Sequence, residues 1–162
     1  MANDILEFAH STEKPLYRTT VDAVAKLRKV RPIFLERQPR RDRHLSMASA
    51  LGRPAMELAA DGVLRHWLLK KETTMLTEFL DSLKIKHDNG VVEDIPAEID
   101  DAAIDSSVEM LLAKYPHEAV AVYLNAFHEM NERKWAHLDA HLQTDPRLQL
   151  KNTPAGLRTA SR

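Results

Sequence analysis

Eight prolines, at positions 15, 32, 39, 54, 96, 116, 146 and 154, constrain this chain more than any other feature. Inside a helix a proline removes a backbone hydrogen bond and clashes with the preceding turn, whereas at a first helical position it costs little. Apolar residues recur at helical spacing between these prolines, so the prolines read as the starts and stops of successive helices. Gly52-Arg53-Pro54 reads as a stop followed by a start, and Asp145-Pro146 as a cap followed by a first turn. Four glycines in 162 residues are too few for an all-β chain that must turn many times. The predicted class is all-α, a bundle of six or seven antiparallel helices arranged as helical hairpins.

Three apolar stripes carry this reading. Leu76, Phe79, Leu80 and Leu83 share one face of a helix over 73–86, and Ile104, Val108, Leu111, Leu112 and Tyr115 share one over 99–115. Val120, Tyr123, Leu124, Phe127 and Met130 form a third behind Pro116. Residues 54–71 have a broader apolar arc, including Met56, Val63, Leu64, Trp67 and Leu68, which suits a central position. Gly62 inside that arc costs about 1 kcal/mol against alanine, which a close helix crossing or a tolerated defect would explain. Residues 86–96 are the one stretch that breaks the helical pattern. There Asn89-Gly90 suits a type I′ turn, with Val91-Val92 returning on 85–87 as a short hairpin or running on as an interhelix loop. An EF-hand loop fails in this stretch, because placing Gly90 sixth puts Ile85 first and Pro96 twelfth.

A shift of 44 residues aligns Leu64, Trp67, Leu68 and Lys70 with Val108, Leu111, Leu112 and Lys114, then Leu76, Phe79, Leu80 and Leu83 with Val120, Tyr123, Leu124 and Phe127. Two like hairpins, an internal pseudo-repeat, are one reading; chance phasing of two amphipathic hairpins is the other. The expected organisation is an N-terminal arm over 1–14, a single helical domain over 15–150 and a mobile tail over 151–162. Within the domain, 15–53 supply basic helices, 54–96 a first hairpin, and 97–150 a second hairpin with a C-terminal helix. Ile5, Leu6 and Phe8 make the arm apolar enough to dock, either in trans to give a dimer or as an intramolecular cap.

Charge is divided sharply. The formal net charge of −1 conceals +6 over residues 1–71, −10 over 72–150 and +3 over the last twelve residues. The basic excess concentrates in 26–44, which holds eight lysines and arginines against two acids. Arg28, Arg31, Arg37, Arg40, Arg41 and Arg43 are the candidate binding residues. They could meet the acidic half, a second subunit or a protein partner, or neutralise nucleic-acid phosphates. Phe34 is the one aromatic among them, so no stacking platform is apparent.

Motifs for chemistry are scarce. The absence of cysteine excludes disulfides, thiolate metal sites and cysteine nucleophiles. No Walker motif, G-x-G-x-x-G or G-x-S-x-G occurs, and Ser46 and Ser49 near His44 do not make a triad. Glu57 and Asp61, one helical turn apart, are the candidate acid/base pair, with a bridge to an arginine as the competing role. His137 and His141 have the i,i+4 spacing of metal ligands, but Trp135, Leu138 and Leu142 turned to a core would leave both on the surface. Glu132, Asp139 and His128 are near in sequence without completing HExxH or ExxH, so no metal or other cofactor is expected. The expected function is a non-enzymatic interaction or self-association module, with nucleic-acid binding and a small acid/base enzyme as alternatives. With no run approaching the ~20 apolar residues of a membrane span and acids at Asp4 and Glu7, a cytoplasmic location is expected.

Overall fold

Five of the prolines sit where helices begin, whereas Pro96 lies in the loop before the helix that starts at Asp101. The computed structural model describes residues 1–150, and the tail expected over 151–162 lies outside the described residues. The described residues contain nine α-helices: α1 (Ala2–Thr12), α2 (Lys14–Leu27), α3 (Pro32–Glu36), α4 (Arg40–Leu51), α5 (Glu57–Lys70), α6 (Thr73–Ser82), α7 (Asp101–Lys114), α8 (His117–Met130) and α9 (Ala136–Thr144). Pro15 and Pro32 occupy the first turns of α2 and α3, Pro39 and Pro116 the N-caps of α4 and α8, and Pro54 opens a 3₁₀ turn before α5. Pro146 departs from the expectation. Asp145 caps it, the carboxylate accepting from the Arg147 amide at 2.8 Å, yet only a single turn comes after it.

Two helices beyond the expected six or seven come from the N-terminal third. Residues 2–12 form α1 and α3 is a five-residue helix too short to show periodicity. No strand occurs among the described residues. Asp88 and Val91 form one isolated bridge, their amides and carbonyls paired at 2.8 and 2.9 Å around Asn89 and Gly90, both at positive φ. No described helix is long and apolar enough to cross a membrane.

Three helix ends explain how so few glycines suffice. α2, α6 and α8 stop in Schellman motifs in which Lys29, Lys84 and Glu132 take the left-handed conformation (φ 56°, 56° and 52°) that glycine normally supplies. The next residue in each case donates back across the turn, Val30 to the Ala25 carbonyl, Ile85 to Leu80 and Arg133 to His128, at 2.9–3.0 Å. The helix expected to reach 86 therefore ends at Ser82.

The described residues fall into two compact units, 1–67 and 68–150. In the first, Leu6 and Ala9 of α1 pack with Val21 and Val24 of α2, Leu35 of α3 and Met47 of α4. Of the two readings of the apolar arm, the structure has the intramolecular one: its face is part of a core. Gly62 meets only the Leu16 side chain, at an ordinary 3.4 Å from where a Cβ would stand, so no tight crossing requires it. In the second unit α6, α7, α8 and α9 enclose an aromatic cluster: Phe79 lies edge-on to Tyr123 and Phe127 at 5.5 and 5.4 Å, and Phe127 meets Trp135 at 5.3 Å. Burying a side chain such as Phe79 contributes about 1.5–3 kcal/mol.

Candidate functional site

The two units present different chemistry. In the second, α7 carries Asp101, Asp105 and Glu109 at i, i+4 and i+8, a single acidic stripe. Each acid meets a basic group from α9 or the turn behind it. Asp105 Oδ1 accepts from His137 Nε2 and His141 Nε2, both at 2.6 Å. Asp101 Oδ2 lies 3.6 Å from His137 Nδ1, and Glu109 pairs with Arg147. Burial of Leu138 between the two histidines turns both rings to α7, and Trp135 donates from Nε1 to the Pro96 carbonyl at 2.8 Å, which ties the start of α9 to the loop before α7.

Electrostatics reflect this placement. The Asp105 carboxylate, then Asp101, raises His137 above the ordinary imidazole value, while His141 and then His137 hold Asp105 below the usual carboxylate range. His137 and His141 are 34% and 24% exposed, so these are partly buried side chains, in place of the open surface histidines read from sequence. Their third partner is also not among the residues near in sequence. His128 is paired with Asp139 at 3.0 Å, and Glu132 with Lys134. Asp105, 32 positions from His137, supplies it instead. Ligand atoms of Asp105, His137 and His141 lie within 4.8 Å of one another.

No family model, curated protein or solved structure matches this chain. Function therefore rests on the geometry of its own residues.

A cleft of about 510 Å³ borders the histidine–aspartate cluster, lined by Ile99, Ile104 and Trp135 with Glu98, Asp101, Lys134 and His137. In the first unit a cleft of about 610 Å³ is lined by α1 and α4 through Asn3, Glu7, Arg40, Arg41 and Leu45. Beneath it lies His44, fully buried, with Nδ1 at 3.1 Å from Asn3 Oδ1 and Nε2 at 2.9 Å from the Tyr17 hydroxyl. An amide oxygen can only accept, so Nδ1 carries the hydrogen and Nε2 accepts from Tyr17. Burial lowers the pKa of His44 and raises that of Tyr17. The Arg43 guanidinium stands 5.7 Å over the Tyr17 ring.

The six candidate arginines divide evenly. Arg28 donates to Ser46, Arg40 pairs with Glu7 at 2.8 Å, and Arg43 reaches the Glu36 carbonyl and Tyr17. Arg31, Arg37 and Arg41 are exposed, and their side chains make no hydrogen bond or ion pair among the described residues. α3 and α4 also expose Ile33, Phe34 and Leu45, at 44%, 58% and 59%. Glu57 and Asp61 are both exposed on α5, line neither cleft and have no partner among the described residues.

Proposed function

We propose that this protein is a non-enzymatic helical interaction module that associates with a second copy of itself through the surface of α3 and α4. The observation that carries the reading is the mixture of Arg31, Arg37 and Arg41 with exposed Ile33, Phe34 and Leu45. Arginine and aromatic side chains in one patch are enriched in protein interfaces. Arginines on a single-stranded nucleic-acid surface would alternate with stacking rings, and Phe34 is alone here. The second copy is favoured as partner because residues 72–150 carry −10. Its exposed acids at Glu93, Asp94, Glu98 and Asp100 offer the complementary charge. Contact between unlike faces builds a ring or an open chain of subunits.

The helix bounds support the finer architecture of two like hairpins. Adding 44 to both ends of α5 gives both ends of α7, and adding 44 to the start of α6 gives the start of α8. A cytoplasmic location, in keeping with the absence of cysteine, belongs to the same reading.

Sedimentation at several concentrations and two salt levels tests the association. Expected is a mass above 18.4 kDa at low salt that declines as salt screens the charges. At about 0.2–1 kcal/mol for each exposed ion pair, replacing Arg31, Arg37 and Arg41 together by Glu weakens association by roughly 3- to 150-fold. Phe34→Ala acts in the same direction. A monomer at every concentration and salt sinks the reading, and a duplex bound at low salt and lost in the triple variant replaces it with nucleic-acid binding.

A further inference from the structure

We propose that Asp105, His137 and His141 form a binding site for a divalent transition metal, zinc in the first instance, with Asp101 as the residue that orients His137. The inference stands apart from the self-association reading, since it concerns a different unit and different residues.

The donor set is the first argument. Two imidazoles at i,i+4 on α9 and one carboxylate from α7 are the residue types and the number of protein ligands that an open zinc or iron site uses. Both Nε2 atoms point at one Asp105 oxygen at 2.6 Å, so three donors already converge from two helices. A tetrahedral ion with bonds of ~2.1 Å spaces its ligands by ~3.4 Å, so each imidazole nitrogen need open from the Asp105 oxygen by only ~0.8 Å. The three side chains are 24–52% exposed and their side-chain torsions can supply that movement.

The second argument is the shell around the donors. A metal-bound imidazole commonly turns its other ring nitrogen to a carboxylate, which fixes the ring and raises its basicity as a ligand. Asp101 Oδ2 stands 3.6 Å from His137 Nδ1, on the side of the ring away from Asp105. The ring is held from behind as well, because Trp135 is anchored on Pro96 and Leu138 is buried. Three protein ligands leave a fourth coordination position to water or an exogenous donor, and the cleft lined by Asp101 and His137 lies beside it. The hardness of the donors selects the ion. With two nitrogens in the set, zinc, cobalt(II) or nickel(II) is favoured over magnesium or calcium, which take oxygen ligands.

The test uses the full chain purified without a histidine tag. Zinc is titrated against a chromophoric chelator, and cobalt(II) is added separately so that its visible absorption reports the ligand field directly. The expected result is one equivalent of zinc per chain at micromolar or tighter affinity, with no competition from a large excess of magnesium. Cobalt should give the intense absorption of a four- or five-coordinate nitrogen–oxygen site. His137→Ala, His141→Ala and Asp105→Asn should each weaken zinc at least 100-fold, whereas Asp101→Asn should weaken it about 10- to 100-fold. His117→Ala, at an exposed residue outside the cluster, should leave it unchanged. Millimolar binding of zinc by the natural chain overturns the proposal, whatever the variants do. So does micromolar binding that Asp105→Asn and His141→Ala leave intact while circular dichroism shows both folded. The cobalt spectrum of the natural chain keeps the proposal testable where a variant fails to fold.

Discussion

Replacing Tyr17 by Phe removes one oxygen atom and tests the logic of the first unit's core. His44 is 0% exposed and sits where α1, α2 and α4 meet, so its two ring nitrogens have no recourse to water. The Tyr17 hydroxyl is the donor that satisfies Nε2. Without it a buried acceptor is left unpaired, which costs about 1–3 kcal/mol, against about 1 kcal/mol for an ordinary hydrogen bond lost to solvent. The ring itself stays, so its packing on His10, at 4.8 Å, and the Arg43 guanidinium over its face are kept, and only the hydroxyl's hydrogen bonds, to His44 and Arg43, are lost. In a unit of this size each kcal/mol lowers the melting temperature by about 4–8 °C. Urea unfolding at pH 8, where His44 is neutral, gives the free energy, and hydrogen exchange measured by mass spectrometry shows where it is lost. Faster exchange should localise to α1, α2 and α4. A Tyr17→Phe variant within 0.5 kcal/mol of the parent at pH 8, or one whose exchange changes elsewhere, would refute the assignment of Tyr17 as the donor.

The same cluster predicts acid sensitivity. Burial lowers both His44 and His10, with Arg40 and Arg43 adding to the effect and Glu7 opposing it. Because the unfolded chain binds the proton more readily, the first unit's stability is fully present above about pH 6.5 and falls as the pH drops below it. Urea midpoints at pH 8, 6.5 and 5 measure the slope, which replacing both histidines by Gln should flatten. Backbone conformation supplies a further set of predictions. Lys29→Gly, Lys84→Gly and Glu132→Gly, each relieving a left-handed residue, should raise stability by about 1 kcal/mol, and a loss in all three would contradict the capping account. Gly90→Ala should lose at least about 1 kcal/mol, since φ is +87° and the new Cβ would stand 3.2 Å from Leu76. Gly62→Ala should gain about 0.5–1 kcal/mol, and denaturant titration of the pair checks the contrast.

The starts of α2, α3, α4, α5 and α8 are legible in the sequence because proline acts on the residues beside it, and that local effect survives any packing. Helix ends were less so. At Lys84 the chain turns left-handed without glycine, because closing Ile85 onto the Leu80 carbonyl and burying Ile85 outweighs a strain of about 1–2 kcal/mol. Nothing in a single lysine announces that balance. The N-terminal helix shows the same limit: Leu6 and Ala9 have helical spacing, but only the core they enter separates a packed helix from an apolar arm. The basic segment was legible as composition and not as function, since each of Arg28, Arg40 and Arg43 is used by a residue distant in sequence.

The histidine–aspartate cluster was closer to legible than it first looks. The carboxylate pair that stood out in the sequence was Glu57 and Asp61. Carried forward by 44 residues, those positions become Asp101 and Asp105, the pair that faces His137 and His141. The two pairs have the same spacing at the same places of helices of the same length, yet only the second finds partners. The difference lies in the segment C-terminal to each hairpin. Carried back by 44, His137 and His141 become Glu93 and Ala97, which belong to a loop without helix and carry no imidazole themselves. A carboxylate pair at i,i+4 is thus ordinary surface until another helix brings basic groups to it. The proposed metal site lies where α9 meets the acidic stripe of α7, and Asp105→Asn, which keeps the shape and removes the charge, is the substitution that separates a metal site from two histidines resting on a carboxylate.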